Sequence, residues 1–196
     1  RRDHGRARDH RRPGGDDRGT DHDGPEGDDH DREGLSVRAV VLVGGFGTRL
    51  RPLTLDPPKQ MLPVVDVTMF ERVIARLGAC GVDEAVVSLG FRPDRFVEAF
   101  PDGTCAGVAL HYAIESEPLD TAGAIRFAAT HAGVDDTFIV VNGDVLTDLD
   151  YAWLVDEHRR LGAEATLHLI AVDDPSRFGV VATDEAGRVL EFVEKP

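Results

Sequence analysis

An apolar run at residues 39–43 passes without a break into Gly44, Gly45 and Gly47, and this junction limits the folds open to the chain. A short continuous apolar run bounded by glycines suits a strand buried on both faces. Glycines directly after such a strand turn the backbone tightly and leave its N–H groups open to an anion. Thr48 adds a hydroxyl, and Arg49 adds a fork of donors matched to phosphate. Lys59 follows ten residues after Arg49, in an extended run set by Pro57 and Pro58. Strand, glycine turn, arginine and lysine together describe a pocket for a triphosphate.

Beyond this junction, apolar runs alternate with helical patterns. Strands are expected at 37–43, 84–89, 109–114, 137–141, 165–171, 179–183 and 189–193. Helices are expected at 68–80, 93–100, 121–132 and 151–161. In the first helix Phe70, Val73, Ile74 and Leu77 fall on one face, and Gly78 and Gly81 are expected to end it. Such alternation predicts an α/β fold, a Rossmann-like three-layer sandwich with a mostly parallel sheet. Ligands in such sheets sit at the carboxyl ends of the strands. Gly44–Arg49 and Asn142–Asp144 both lie at those ends.

Residues 1–34 form a separate region by composition, almost wholly Arg, Asp, His and Gly. Without apolar surface to offset its ordering entropy, this stretch reads as a disordered charged tail, and 35–196 as the folded domain. Its histidines, His4, His10, His22 and His30, are read as solvated rather than as metal ligands. The lack of an initiating Met suggests a start inside a longer reading frame, or a tail that is not genuine coding sequence. The net charge of −14 argues against a nucleic-acid surface. No apolar segment is long enough for a signal peptide or a membrane span, and two cysteines do not make a disulfide framework. A reducing cytoplasm is the expected setting.

The glycine turn fits neither common nucleotide motif. Leu50 stands where the dinucleotide fingerprint needs its third glycine, and no Gly-Lys-Ser/Thr follows. The run G-G-F-G-T-R-L-R-P-L-T, with P-K and L-P-V after it, instead resembles the sugar-1-phosphate nucleotidyltransferases, most closely their mannose-1-phosphate guanylyltransferase branch. This resemblance implies the nucleotide-diphospho-sugar transferase type of fold. It implies that Leu42, Gly44, Gly45, Gly47, Thr48, Ser88, Gly90, Thr121 and Ala122 line the nucleotide site, with Arg49, Lys59 and Asp144 catalytic.

Asp144 closes an apolar strand, F-I-V-V-N-G-D, at the ligand edge. From residue context it either holds magnesium or caps the following turn, with Asp148 and Asp150 as further caps. The resemblance implies the metal role, with Mg2+ as cofactor. Thr121 is expected to cap a helix whose first amides face the cleft. Asp120 stands where the family pattern has glycine, so it crowds the nucleotide, points to solvent or joins the cap. Pro175-Ser176-Arg177-Phe178-Gly179 and Glu194-Lys195-Pro196 resemble the family's sugar-binding segments. By that resemblance Asn142, Gly143, Gly179, Glu194 and Lys195 bind the sugar phosphate. Without it, Glu194 and Lys195 read as a solvated pair. Trp153 is read as helix-face packing, His111 and His168 as solvent-facing strand residues, and His158 as an exposed helix end.

The implied reaction joins a nucleoside triphosphate, GTP favoured, to a sugar 1-phosphate, mannose 1-phosphate favoured, releasing pyrophosphate. Two alternatives stand beside it. One is a non-catalytic nucleotide-sugar-binding regulatory homologue on the same fold. The other is thymidylyl, uridylyl, adenylyl or cytidylyl transfer to another sugar phosphate such as glucose 1-phosphate. The resemblance also implies a second metal-binding Asp and oligomer-forming elements beyond Pro196. The stretch is therefore expected to be incomplete, to associate through an exposed edge, and not necessarily to act alone. A homo-oligomer is expected at full length.

Overall fold

The computed structural model describes residues 37–45, 47–174 and 179–194. The readings for residues 1–34, for 175–178 and for Lys195 lie outside the described residues, as does the side chain of Glu194.

Five strands form the main sheet: β1 (Ala39–Leu42), β4 (Glu84–Leu89), β5 (Thr104–Cys105), β6 (Val108–Ile114) and β7 (Ile139–Asn142), in the order β5-β6-β4-β1-β7. The pairs β1–β4, β1–β7 and β4–β6 are parallel, and β5 joins the edge antiparallel. Two further ladders stand apart, β2 (Pro63–Val64) with β3 (Val67–Thr68), and β8 (Gly179–Thr183) with β9 (Val189–Glu194).

Four helices, α1 (Met69–Ala79), α2 (Pro93–Ala99), α3 (Asp120–His131) and α4 (Tyr151–Leu161), cover the sheet. Ala39, Val41, Ala85, Val87 and Leu89 share one core with Phe70, Ile74 and Leu77 of α1, Phe96 of α2 and Val155 of α4. Val40, Val86 and Ala113 point the other way, onto Ala128 of α3. The alternation along each strand thus builds three layers. The path explains the sides. The chain steps from β1 to β4 to β6 with α1 and α2 on one face. It then returns past β1 to β7, and a right-handed crossover puts α3 on the opposite face.

The four apolar positions of α1 are all fully or nearly fully buried. Thr68 and Glu71 close a reciprocal capping box at its start. Gly78 lies inside this helix rather than ending it: a Cβ there would come within 2.9 Å of Val108 Cγ2. The turn is made by Gly81, at φ 89°.

Three expectations are corrected. Residues 165–171 form no strand and are mostly exposed. Their alternation needs a partner, and β7 pairs only with β1 among the described strands. A hollow of about 810 Å³ lies between β7 and residues 163–168. Thr121 does not cap α3: the helix starts at Asp120 with Leu119 before it and no side-chain cap. Asp120 enters in the left-handed region at φ 56°, which carries the chain past the capping geometry. Trp153 does not pack, being 56% exposed on α4.

Candidate active site

β1 is central, and the chain leaves it toward β4 on one side and returns to β7 on the other. The crevice at the carboxyl ends of β1 and β7 is therefore the switch point of the sheet, the place where such folds bind ligands. A cavity of about 500 Å³ opens there. Leu42, Ser88 and Asn142 stand at one register level across β4, β1 and β7, and all three line it.

Of the residues expected in the site, Leu42, Gly44, Gly45, Lys59, Ser88, Gly90, Thr121, Asn142 and Asp144 line this cavity. Gly47, Thr48, Arg49, Ala122 and Gly143 do not. Gly179 opens β8, in the separate hairpin. Gly143 has a packing duty: a Cβ there would meet Val43 Cγ1 at 2.5 Å, and its N–H donates to the Leu42 carbonyl at 2.8 Å.

Lys59 does not lie in an extended run but opens a 3-10 turn, Lys59–Met61, behind Pro58. From there its Nζ donates to Asp144 Oδ2 in an ion pair inside the cavity. Cation and carboxylate come from elements far apart in sequence, and the switch point brings them together. Asp150 caps α4, accepting from the Ala152 and Trp153 amides. The Asp144 carboxylate has Lys59 as its partner. The Arg76 guanidinium, on α1, braces the loop between them by donating to the Asp148 and Leu149 carbonyls at 2.6 to 2.9 Å.

Arg49 sits exposed on a second 3-10 turn, Thr48–Leu50, with Gly47 before it at φ 58°. Among the described residues no hydrogen bond or ion pair holds its guanidinium. Further along this loop Asp56 accepts from Arg95 at 2.6 and 2.8 Å and from Arg92 at 3.0 Å. Arg95 first, then Arg92, hold its carboxyl below the ordinary carboxylate value.

Sequence reasoning missed Glu115. It follows β6, lines the cavity, and its Oε1 accepts from the buried Ser88 hydroxyl at 2.7 Å. The Leu119 N–H reaches Oε2 at 3.4 Å. A lone Glu near a strand end reads as surface. The signal available was its place two residues beyond Ala113, the register partner of Ser88, and so on the same face of the sheet.

Among the described residues no cluster of three or more His, Cys, Asp or Glu side chains stands ready for a metal. Magnesium takes one or two carboxylates and completes its shell with water and phosphate oxygens. The carboxylates lining the cavity, any of which could hold such an ion, are Glu115, Asp120 and Asp144. Cys80 and Cys105 are both free and buried. Burial pushes the Cys105 thiol up to about 12, so it is no nucleophile. No helix among the described residues is long and apolar enough to cross a membrane.

Comparison with known proteins fits this architecture. A mannose-1-phosphate guanylyltransferase of Mycobacterium tuberculosis is 45% identical over 159 residues, covering 81% of this chain and 44% of that protein. A probable mannose-1-phosphate guanylyltransferase 3 of Oryza sativa subsp. japonica is 40% identical, covering 82% and 45%. The chain therefore spans less than half the length of these relatives. Crystalline HddC from Yersinia pseudotuberculosis, complexed with GMP-PN, superposes with a TM-score of 0.70 at 31% identity over 81% of this chain and 69% of that one. A putative glucose-1-phosphate thymidylyltransferase from Bacillus anthracis, in complex with a sucrose, gives 0.74 at 27% identity over 82% and 65%. The profile of the nucleotidyl transferase family matches residues 38–196, from the first strand onward. On that match the chain belongs to the nucleotidyl transferase family.

Proposed function

We propose that this chain is the nucleotide-binding part of an enzyme that transfers a guanylyl group from GTP to mannose 1-phosphate. The observation that carries the reading is the order of groups across one cavity. Glu115 stands beyond β6, Ser88 on β4, Gly44 and Gly45 after β1, and Asp144 after β7, with Lys59 against it. Three inter-strand steps span roughly 14 Å, the reach of an extended nucleoside triphosphate. The base then lies at Glu115 and the phosphates at the glycine turn.

Glu115 supports guanine. A carboxylate only accepts, and guanine alone offers a ring N–H beside an amino group on one edge. Uracil and thymine flank their N–H with carbonyl oxygens that such a carboxylate repels. The names of the relatives agree with this choice and with mannose 1-phosphate as acceptor.

In the proposed reaction a phosphate oxygen of the sugar 1-phosphate attacks the α-phosphorus. The bond from that phosphorus to the bridging oxygen breaks, and pyrophosphate leaves with the electron pair. The attacking oxygen is already ionised at neutral pH, so no general base is needed. The chain contributes position and charge. Gly44 and Gly45 amides and Arg49 hold the leaving phosphates, and Lys59 steadies the reacting centre. Asp144 holds Mg2+, which when bound neutralises charge on the phosphates. Asn142 and Gly143, with Gly179, Glu194 and Lys195, are assigned to the sugar phosphate. A cytoplasmic setting and self-association of the full-length enzyme belong to the same proposal.

The test is Glu115→Gln, assayed for binding of GTP, UTP, dTTP, ATP and CTP. Preference for GTP over UTP is expected to fall by about 1–3 kcal/mol, the worth of one good bidentate base contact. Unchanged preference removes Glu115 from the base site. Pyrophosphate release from GTP and mannose 1-phosphate by the full-length protein tests the reaction itself.

A further inference from the structure

Thr54 is one of three buried polar residues among the described ones, and at 2% exposure it has no part in the site as drawn above. Its hydroxyl donates to the Gly47 carbonyl at 2.7 Å. The same carbonyl accepts the Leu50 amide at 2.9 Å, the bond that closes the turn Thr48–Leu50. Gly47 itself has φ 58° and ψ 26°, a conformation that side chains disfavour. A Cβ on it would stand 3.1 Å from Thr54 Cγ2 and 3.2 Å from Thr54 Cβ. Thr54 thus covers Gly47 with its methyl and binds its carbonyl with its hydroxyl. A buried hydroxyl is costly without its partner, so the contact fixes both residues.

Arg49 is the middle residue of the turn so fixed. Thr54 does not line the cavity, so any influence it has on a ligand passes through this backbone.

We propose that Thr54 is the positioning residue for Arg49: through the Gly47 carbonyl it aims the turn that presents the guanidinium to the nucleotide's phosphates. The inference rests on the function proposed above, in which Arg49 meets those phosphates. It accounts for a buried hydroxyl at this place in the loop.

The experiment is a double-mutant cycle in the full chain, read as GTP affinity in the presence of magnesium by calorimetry. Arg49→Ala and Thr54→Val are each expected to weaken GTP about tenfold, and the double variant about tenfold as well, since both remove one interaction. Thr54→Ser keeps the hydroxyl and stays within about twofold of the wild type, a rescue that lost packing would not give. Thermal unfolding checks each fold, and Thr54→Ala replaces Thr54→Val should the latter be too unstable to measure. Wild-type affinity in Thr54→Val overturns the inference, as does an additive double variant at about a hundredfold, or Thr54→Ser falling with Thr54→Val. In those cases the loss in Arg49→Ala survives, and so does the reading of the site. Wild-type affinity in Arg49→Ala overturns both.

Discussion

Replacing Lys59 by Met asks what the ion pair with Asp144 does before any nucleotide arrives. Met keeps an unbranched apolar stem and removes the charge. The two side chains retain 27% and 29% of their exposure, so the pair is neither surface nor core. Exposed pairs are worth about 0.2–1 kcal/mol, and breaking a buried one costs about 3–5 kcal/mol. An intermediate pair is therefore worth about 1–2 kcal/mol. A divalent cation that reaches Asp144 must displace Lys59 and give up that much. Lys59→Met is expected to raise affinity for Mn2+ alone by about five- to thirtyfold. The assay is titration of the full chain with Mn2+, followed by the electron paramagnetic resonance of the free ion, without nucleotide. Asp144→Asn serves as the variant without a site. With GTP present the sign reverses, because Lys59 then has phosphates to meet and its loss weakens the complex. Mn2+ affinity that is unchanged or lowered in Lys59→Met would refute the reasoning, whatever happens to activity.

Four further variants have outcomes set by the geometry. Asp56 has its pKa depressed by Arg95 and Arg92, so the stability it contributes is present above its ordinary value of 3.8 and is lost as pH falls through the lower folded value. Urea unfolding of Asp56→Asn is therefore expected to show a smaller loss of stability below pH 4 than the wild type, and an identical loss removes the clasp from the account. Gly143→Ala puts a methyl 2.5 Å from Val43 Cγ1 and is expected to cost about 1–3 kcal/mol in urea. Gly90→Ala meets nothing nearer than Glu115 Oε2 at 3.6 Å and is expected to leave stability within about 0.5 kcal/mol. Asp120→Gly relieves the left-handed residue at φ 56° and removes a negative charge from the cavity wall. It is expected to stabilise by about 1 kcal/mol in urea and to tighten GTP about fivefold by calorimetry.

What the sequence disclosed depends on how local the controlling interaction is. The apolar face of α1 was legible because Phe70, Val73, Ile74 and Leu77 repeat at the helical period. The places of Gly44 and Asp144 were legible because each follows an apolar run that had to be a parallel strand. The opposite holds at residues 165–171. Their alternation describes a strand only if a neighbour supplies the ladder, and no neighbour is written in the segment itself. Glu115 was illegible for a related reason, since its partner Ser88 lies 27 residues away and only register joins them. Asp120 shows a third kind of miss: a preferred cap, Thr121, gave way to a backbone path through the left-handed region.

The division of labour along the sheet has a practical consequence. In the proposed function, what distinguishes one nucleobase from another hangs from β4 and β6, and what grips the phosphates hangs from β1 and β7. Substrate choice can therefore be rewritten at one end of the row while the reactive end is left alone, and an engineer altering letter preference has no reason to touch the glycine turn.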